Sequence, residues 1–366
     1  MTLENEIRKS RQEIVSDGYE MSVGEIINLY RDKEIVINPE FQRLFRWDQL
    51  RKTRFIESLL LGIPVPPVFV YQDDTGVWEL IDGLQRLSTI FEFVGILRQS
   101  DGRRAEPSVL VGTNFLPSLA DKRWDAQEGR GDDSIGQTQQ LEIKRARLRV
   151  EILKHPSDPK AKYELFQRLN TGGAPLSEQE VRNCVAVMLN KAFYNWLVEC
   201  ARNPDFRSTI DQTEKALTKQ SDTELALRFF VFRNVEYKSG LDVHEYLDSA
   251  LLELATSEEF DLASEKRTFD RTFKLLNAAM GSRVFKRWDG GNFLGKFLMS
   301  VFEVVATGVS YNISEIEALS ESKQFVEARC KKLWSDPTFD ANSGAGIRGT
   351  TRLTKLLPMA REFFKP

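Results

Sequence analysis

The chain has 366 residues, of which 51 are basic and 54 are acidic, so its formal net charge at pH 7 is −3. Near-neutrality and an isoelectric point of about 5.8 exclude a generally cationic nucleic-acid-binding protein, so any such contact must come from a local patch. With 41% hydrophobic and 29% charged residues, the composition is that of an ordinary globular protein of about two domains.

Signals for export, membrane insertion or a metal centre are weak in this sequence. The longest apolar stretch, residues 59–71, is interrupted by prolines and is shorter than the roughly 20 residues of a membrane helix. Charges alternate at the amino terminus, where a signal peptide has an apolar centre, so we expect a cytoplasmic protein without membrane contact. The three cysteines, Cys184, Cys200 and Cys330, are too scattered for a disulfide framework or a zinc site, and we expect their thiols to be buried. The two histidines, His155 and His244, lie outside any metal-binding pattern and give little material for a triad.

The first hundred residues alternate between short helices and strands. Ser22 with Glu25 forms a capping-box pattern at one helix start, and Asp48 is placed to cap another. Apolar periodicity and turn residues predict, in order, a helix over 23–33, a strand over 34–37, a loop over 39–47, a helix over 48–61 and a hairpin over 67–81. Residues 82–86 follow as a turn, and apolar residues then recur at helical spacing over 87–97.

Regularity is lost and then returns in the following segment. Residues 99–140 show no sustained periodicity, which predicts an insertion or a mobile connection. Arginines alternate with apolar side chains over residues 145–153, which is typical of a half-exposed strand. A helix over 159–169, a loop over 170–175 and a helix from 177 are predicted next.

From residue 190 onwards nearly every segment has helical periodicity. We therefore predict an α+β protein, with a mixed α/β domain over residues 1–189 and an all-α domain over residues 190–366.

Residues 82–86 lie at the turn of a predicted strand–turn–helix unit and could form a binding site. Asp82 followed by Gln85 fits a capping box, and Gly83 would ease the turn, so stability alone explains much of the pattern. Arg86, however, is a cation in the first turn of a helix, where the dipole is already positive. Backbone N–H groups, the dipole and a guanidinium together would form a phosphate-binding corner.

Basic and aromatic residues are interleaved over residues 39–54. Such a segment can bind phosphates and stack bases, or its aromatic residues can anchor the loop while the charges remain solvated. The arginines of the predicted strand have the same two interpretations. The candidate DNA-contacting residues are Arg46, Arg51, Arg54, Arg145, Arg147 and Arg149. The polar loop at 170–175 is either a ligand-binding loop or a plain turn.

Three motifs in this order resemble a known family. They are Pro-x-x-Gln-Arg-x-x-x-Trp at 39–47, Asp-Gly-x-Gln-Arg-Leu-Ser-Thr at 82–89, and Arg-Leu-Asn-Thr-Gly-Gly-x-Pro-Leu-Ser-x-x-Glu-x-Arg at 168–182. With Gly-Ile-Pro-Val-Pro-Pro at 62–67, they are similar to the GmrSD restriction endonuclease N-terminal domain, domain of unknown function 262, over about residues 21–190. The resemblance implies a ParB/sulfiredoxin-like fold and a role in modification-dependent restriction or anti-phage defence, where the domain binds and hydrolyses nucleoside triphosphate to control DNA cleavage.

The resemblance also implies site residues. The nucleotide motif corresponds to Asp82, Gly83, Gln85 and Arg86, with Leu84 where the family usually has a glutamine, so binding is a firmer expectation than hydrolysis. We expect Asp82 to hold a divalent ion or to orient a water molecule, and Gln85 to position the nucleophile. The expected phosphate-binding residues are Gln42, Arg43, Gly83, Arg86, Asn170, Gly172 and Arg182; Glu180 matches the last motif without an assigned role.

The chain is thus expected to be a nucleotide-dependent regulatory component that binds GTP, ATP or CTP with Mg²⁺, with NTP hydrolysis as its enzymatic activity. Neither histidine lies in a histidine-metal nuclease pattern, so we expect any DNA cleavage to require a separate nuclease subunit. We also expect a homo-oligomer. The alternatives are a non-catalytic DNA-binding module and a ParB-like DNA nuclease or nickase.

Overall fold

The computed structural model of the chain describes residues 16–37, 45, 47–73, 75–99, 102–127, 133–154, 178–218, 220–238, 240–344 and 346–366. Two compact units divide it, Met1–Pro175 and Leu176–Pro366. The first contains a sheet with helices and the second is predominantly helical, so the predicted α+β class is confirmed.

A five-stranded mixed sheet organises the first unit. Its strands are β1 (Ser16–Ser22), β2 (Ile35–Val36), β3 (Val68–Gln72), β4 (Trp78–Asp82) and β5 (Arg147–Leu153). The spatial order is β1-β5-β3-β4-β2, with antiparallel β1/β5 and β3/β4 pairs and parallel β3/β5 and β2/β4 pairs. The predicted hairpin is therefore the β3–β4 pair near the centre of the sheet.

Four helices are described in the first unit: α1 (Val23–Arg31), α2 (Gln49–Leu61), α3 (Leu84–Phe93) and α4 (Gln137–Arg145). Two of them, α1 and α2, begin at the capping residues that the sequence predicts. The Ser22 hydroxyl accepts from the Glu25 N–H at 3.1 Å, and the Asp48 carboxylate accepts from the Arg51 N–H at 2.8 Å. Helix α2 ends at Gly62, whose φ of +66° is the left-handed conformation that glycine adopts readily.

The segment over residues 99–140 differs from its prediction. Its described part supplies Leu110, Leu119 and Trp124 to the core, so that part is packed rather than a mobile connection. It also continues into α4, whose last residue is Arg145; this arginine therefore lies in a helix and not in the predicted strand. The cause is local, because the Ala146 N–H bonds back to the carbonyls of Glu142 and Ile143.

The second unit is built from helices around an aromatic core. Its helices are α5 (Glu178–Leu189), α6 (Lys191–Ala201), α7 (Pro204–Ile210), α8 (Glu214–Thr218), α9 (Ser221–Asn234), α10 (Val243–Thr256), α11 (Leu262–Met280), α12 (Met299–Tyr311), α13 (Ile313–Glu317), α14 (Ser322–Leu333), α15 (Pro337–Ser343) and α16 (Gly349–Phe363). Phe206, Phe229, Phe269 and Phe273 are fully buried and meet edge-on or tilted at 4.5–5.4 Å.

Two details of this unit depart from the sequence expectation. A short hairpin of β6 (Arg287–Trp288) and β7 (Phe293–Leu294) interrupts the helices, so the domain is not all-α. The hairpin turn is stabilised because Asp289 accepts from two backbone N–H groups of its own turn. Helix α5 packs on α6, α9 and α10, which explains why the units divide at residue 175 and not at the predicted 189.

Candidate functional site

The turn between β4 and α3 has a conformation that only glycine tolerates well. Gly83 has φ +102°, and a Cβ added there would lie 2.9 Å from Cγ2 of Val68. No side chain caps the first turn of α3, so the capping box of Asp82 and Gln85 does not form. The chain therefore reaches the start of α3 without a side-chain acceptor for its first N–H groups.

Asp82 and Arg86 instead form an ion pair one helical turn apart. The Arg86 Nη2 lies 2.7 Å from Oδ2 of Asp82, and only 13% of the arginine side chain is exposed, against 36% of the aspartate. The Arg86 Nε is buried and has no hydrogen-bond partner. An unsatisfied guanidinium N–H beside an uncapped helix start is an arrangement that an anion would stabilise.

Gln85 connects this turn to the segment that precedes α2. Its Oε1 accepts a hydrogen bond from the Trp47 N–H at 3.0 Å. The Trp47 ring meets Phe55 edge-on, with 5.7 Å between the centroids. Gln85, predicted to position a nucleophile, therefore holds the chain at Trp47 in this structure.

Other described residues of this segment favour anchoring over base stacking. The Lys52 ammonium lies 4.3 Å from the Phe45 ring centroid and 2.6 Å from a carboxylate oxygen of Glu92. The lysine charge is thus already balanced within the protein. Neither partner was identified from the sequence, because Glu92 is 40 residues away and only the fold brings it close.

The candidate DNA-contacting arginines that the structure describes are exposed. Arg149 lies in β5 with its outward neighbour Arg147, as the alternation predicts, but its Nε is 2.6 Å from Glu151. Its Nη1 is also 3.8 Å from Glu20, so much of its charge is neutralised. Four exposed cations of the set keep a charge that solvent or a ligand can reach: Arg51, Arg54, Arg145 and Arg147, of which Arg51 lies 3.6 Å from Asp48.

Arg182 occupies a different environment from the one predicted for a phosphate ligand. It lies on α5, has no exposed surface, and donates from Nε to Oδ1 of Asp248 at 2.6 Å. Its Nη2 lies 2.9 Å from Nδ1 of His244, and its Nη1 lies 3.4 Å from Oε1 of Gln179. All three guanidinium nitrogens are engaged by protein groups, so the structure supports an anchoring role for Arg182 rather than direct phosphate binding.

The five remaining candidate site residues lie outside the described ranges: Gln42, Arg43, Arg46, Asn170 and Gly172.

Over the described part of the chain, no three His, Cys, Asp or Glu side chains are grouped as metal ligands would be. Among the helices that the structure describes, none combines the length and the apolar character needed to cross a bilayer. All three cysteine side chains are buried, as predicted.

Comparison with known families gives one match. Residues 23–187 match the family model described as the GmrSD restriction endonuclease, N-terminal domain. The recognition made from the three motifs is therefore confirmed, and the match includes both the Asp82–Arg86 turn and most of α5. A search of curated proteins gives no match to the chain.

Proposed function

We propose that this chain, whose residues 23–187 carry a GmrSD N-terminal domain, is a nucleotide-binding regulatory component of a bacterial restriction or anti-phage defence system. A ParB/sulfiredoxin-like fold for the first unit, NTP hydrolysis, a homo-oligomeric state, a cytoplasmic location and a separate nuclease subunit are parts of the same proposal.

The turn at Asp82–Arg86 is the observation that carries the nucleotide site. Arg86 brings a buried N–H without a partner to the uncapped start of α3. A phosphate placed there would accept a hydrogen bond from that N–H and would interact favourably with the helix dipole. It would also compete with Asp82 for the guanidinium, so nucleotide binding would break or share the ion pair.

Asp82 is the described carboxylate at this turn, and a single carboxylate suits Mg²⁺ that arrives with a triphosphate. Such an ion, when bound, neutralises phosphate charge. Asp82 would hold it and Arg86 would hold a phosphate oxygen, while Gly83 keeps the backbone close to Val68.

Titration of the purified chain with GTP, ATP and CTP in the presence of Mg²⁺ tests this proposal. We expect one nucleotide to bind, and Arg86→Ala to weaken it by about tenfold to a hundredfold, the worth of a hydrogen bond to a charged group. Arg31→Ala removes an exposed arginine of the same unit and should leave the affinity unchanged. Absence of binding by all three nucleotides, or equal affinities of the Arg86 and Arg31 variants, would refute the proposal.

Hydrolysis requires its own measurement. Asp82→Asn keeps the size of the side chain but removes its charge, so it should abolish any Mg²⁺-dependent phosphate release while nucleotide binding persists. If the wild-type chain binds nucleotide without releasing phosphate, the proposal is reduced to a binding protein.

A DNA-binding module is the second candidate, supported by the four exposed arginines of the first unit. It predicts binding to duplex DNA without nucleotide, with a steep salt dependence that Arg54→Ala with Arg147→Ala reduces. Incubation with supercoiled plasmid and Mg²⁺ tests the nuclease alternative, and absence of nicking would remove it.

A further inference from the structure

A groove runs along helix α16 of the second unit and has no role in the function proposed above. Two adjoining cavities form it, with volumes of about 730 Å³ and 470 Å³. One wall is formed by residues 232–237 and 240–242, and the other is α16 with Arg348 before it. Tyr237 and Thr354 line both cavities, so the two adjoin at these residues.

Three cations line the α16 wall: Arg348, Lys355 and Arg361. None of them has an ion pair with a carboxylate in the described chain, unlike Arg182, Arg228 and Arg352 of the same unit. Arg361 lies over the Tyr311 ring, with its Cζ 3.7 Å from the centroid, which holds the guanidinium at the groove. These charges are therefore positioned without being neutralised.

The opposite wall supplies fewer negative charges than the α16 wall has cations. Arg233 is paired with Glu265 at 3.1 Å, which leaves that pair neutral. Asp242 accepts from two N–H groups at the start of α10, so its carboxylate already stabilises a helix terminus. Glu236 is the remaining carboxylate of the lining. Against three cations, the groove keeps a positive excess.

The spacing of the cations fits an extended ligand. Arg348 and Arg361 are thirteen residues apart, which corresponds to roughly 20 Å along a helix at about 1.5 Å per residue. At about 3.6 residues per turn, Arg348 and Lys355 share one side of the helix and Arg361 is rotated by about 120° from Lys355, so a ligand that contacts all three must wind around the helix. A compact anion would contact only one of them at a time, whereas a chain of phosphodiesters could contact all three.

The middle of the groove offers contacts for bases. Leu357 and Pro358 provide apolar surface beside Tyr237. Because Pro358 has no N–H, the Thr354 carbonyl, which faces the position of that missing donor, lacks its usual helical partner. Apolar surface and a carbonyl acceptor between cations are features that unpaired bases can use.

We propose that this groove binds single-stranded nucleic acid, with Arg348, Lys355 and Arg361 contacting successive phosphates. The binding is independent of the nucleotide site at Arg86, which lies in the other unit.

Fluorescence anisotropy with a fluorescein-labelled oligothymidine of about 20 nucleotides tests the proposal on the full chain, without added nucleotide. We expect binding that weakens with salt. Combined replacement of Arg348, Lys355 and Arg361 by alanine should reduce affinity by roughly tenfold and lower the slope of log K against log salt by about 2, since each single-strand phosphate contact contributes about 0.7. Lys355 makes no described side-chain contact, so Lys355→Glu alone should weaken binding without affecting folding.

A matched control replaces three exposed lysines of the same unit by alanine, Lys274, Lys323 and Lys332. This variant has the same net charge as the triple groove variant and should bind as the wild type does. The proposal is overturned if the wild type fails to bind at about 50 mM salt, if groove and control variants lose affinity equally, or if Lys355→Glu has no effect. Preferential binding of a duplex of the same sequence, or competition by inorganic phosphate at low millimolar concentration, would also overturn it.

Discussion

Asp248→Asn removes the negative charge that faces the buried Arg182 guanidinium while preserving the size of the side chain. In the native protein, Oδ1 of Asp248 lies 2.6 Å from Nε, and neither side chain is more than 8% exposed. After the substitution, Arg182 would retain His244 and Gln179, neither of which carries a negative charge.

The expected cost follows from leaving a charge buried without its counter-ion, which is about 3–5 kcal/mol. Arg182 also contributes to lowering the pKa of Glu224, so a second carboxylate is close enough to compensate partly. We therefore expect a loss of about 3 kcal/mol in the free energy of unfolding.

Urea unfolding followed by far-ultraviolet circular dichroism measures this loss by linear extrapolation. Glu253→Gln, an exposed change on the same helix, should alter the free energy by less than about 0.5 kcal/mol. In a double-mutant cycle, Arg182→Met should cost much less in the Asp248→Asn background than alone. A loss below about 1 kcal/mol for Asp248→Asn, or additive losses in the cycle, would refute the reasoning.

Three other outcomes can be measured with the same protein. Gly83→Ala should lower the free energy of unfolding by about 2–4 kcal/mol, and Val68→Ala should recover the steric part; equal losses in both backgrounds would contradict the close approach. Burial raises the pKa of Glu224, but the charge of Arg228, its hydrogen bond to this carboxylate and the charge of Arg182 together outweigh burial. The folded-state pKa therefore lies below the ordinary 4.5. The resulting stabilisation is complete above pH 4.5 and is lost as the pH falls through the folded-state pKa. Glu224→Gln should therefore make the free energy of unfolding, measured from about pH 3 to 6, depend less on pH. Burial also raises the pKa of Cys200 to about 12, so a thiol reagent at about pH 8 should label it only after denaturation; rapid labelling of the folded chain would disprove its burial.

Local chemistry explains which parts of the fold were predictable. Ser22, Asp48 and Gly62 act on neighbours within four residues, so their caps follow from the sequence alone. The alternation of β5 is equally local, because Leu148, Val150 and Ile152 are buried in the periodic pattern.

The site was less predictable because its contacts connect distant segments. The motif placed Asp82 and Arg86 together, and the tight turn at Gly83 between β4 and α3 brings them into contact. Nothing near Gln85 indicates that its amide binds the backbone of Trp47, 38 residues earlier. In the same way, Asp248 is 66 residues from Arg182, so the motif alone could not reveal that this arginine is buried and paired.

Helix α5 belongs to the matched family domain by sequence but to the second unit by packing. The family match extends to residue 187, yet the helix buries Val181, Cys184 and Val185 and packs on helices of the second unit. A fragment that ends at the limit of the family match would carry this apolar surface and the Arg182 charge without the helices that cover them. Exchange of modules between relatives should therefore be made before Leu176, so that α5, which carries the end of the last family motif, travels with the helices it packs against.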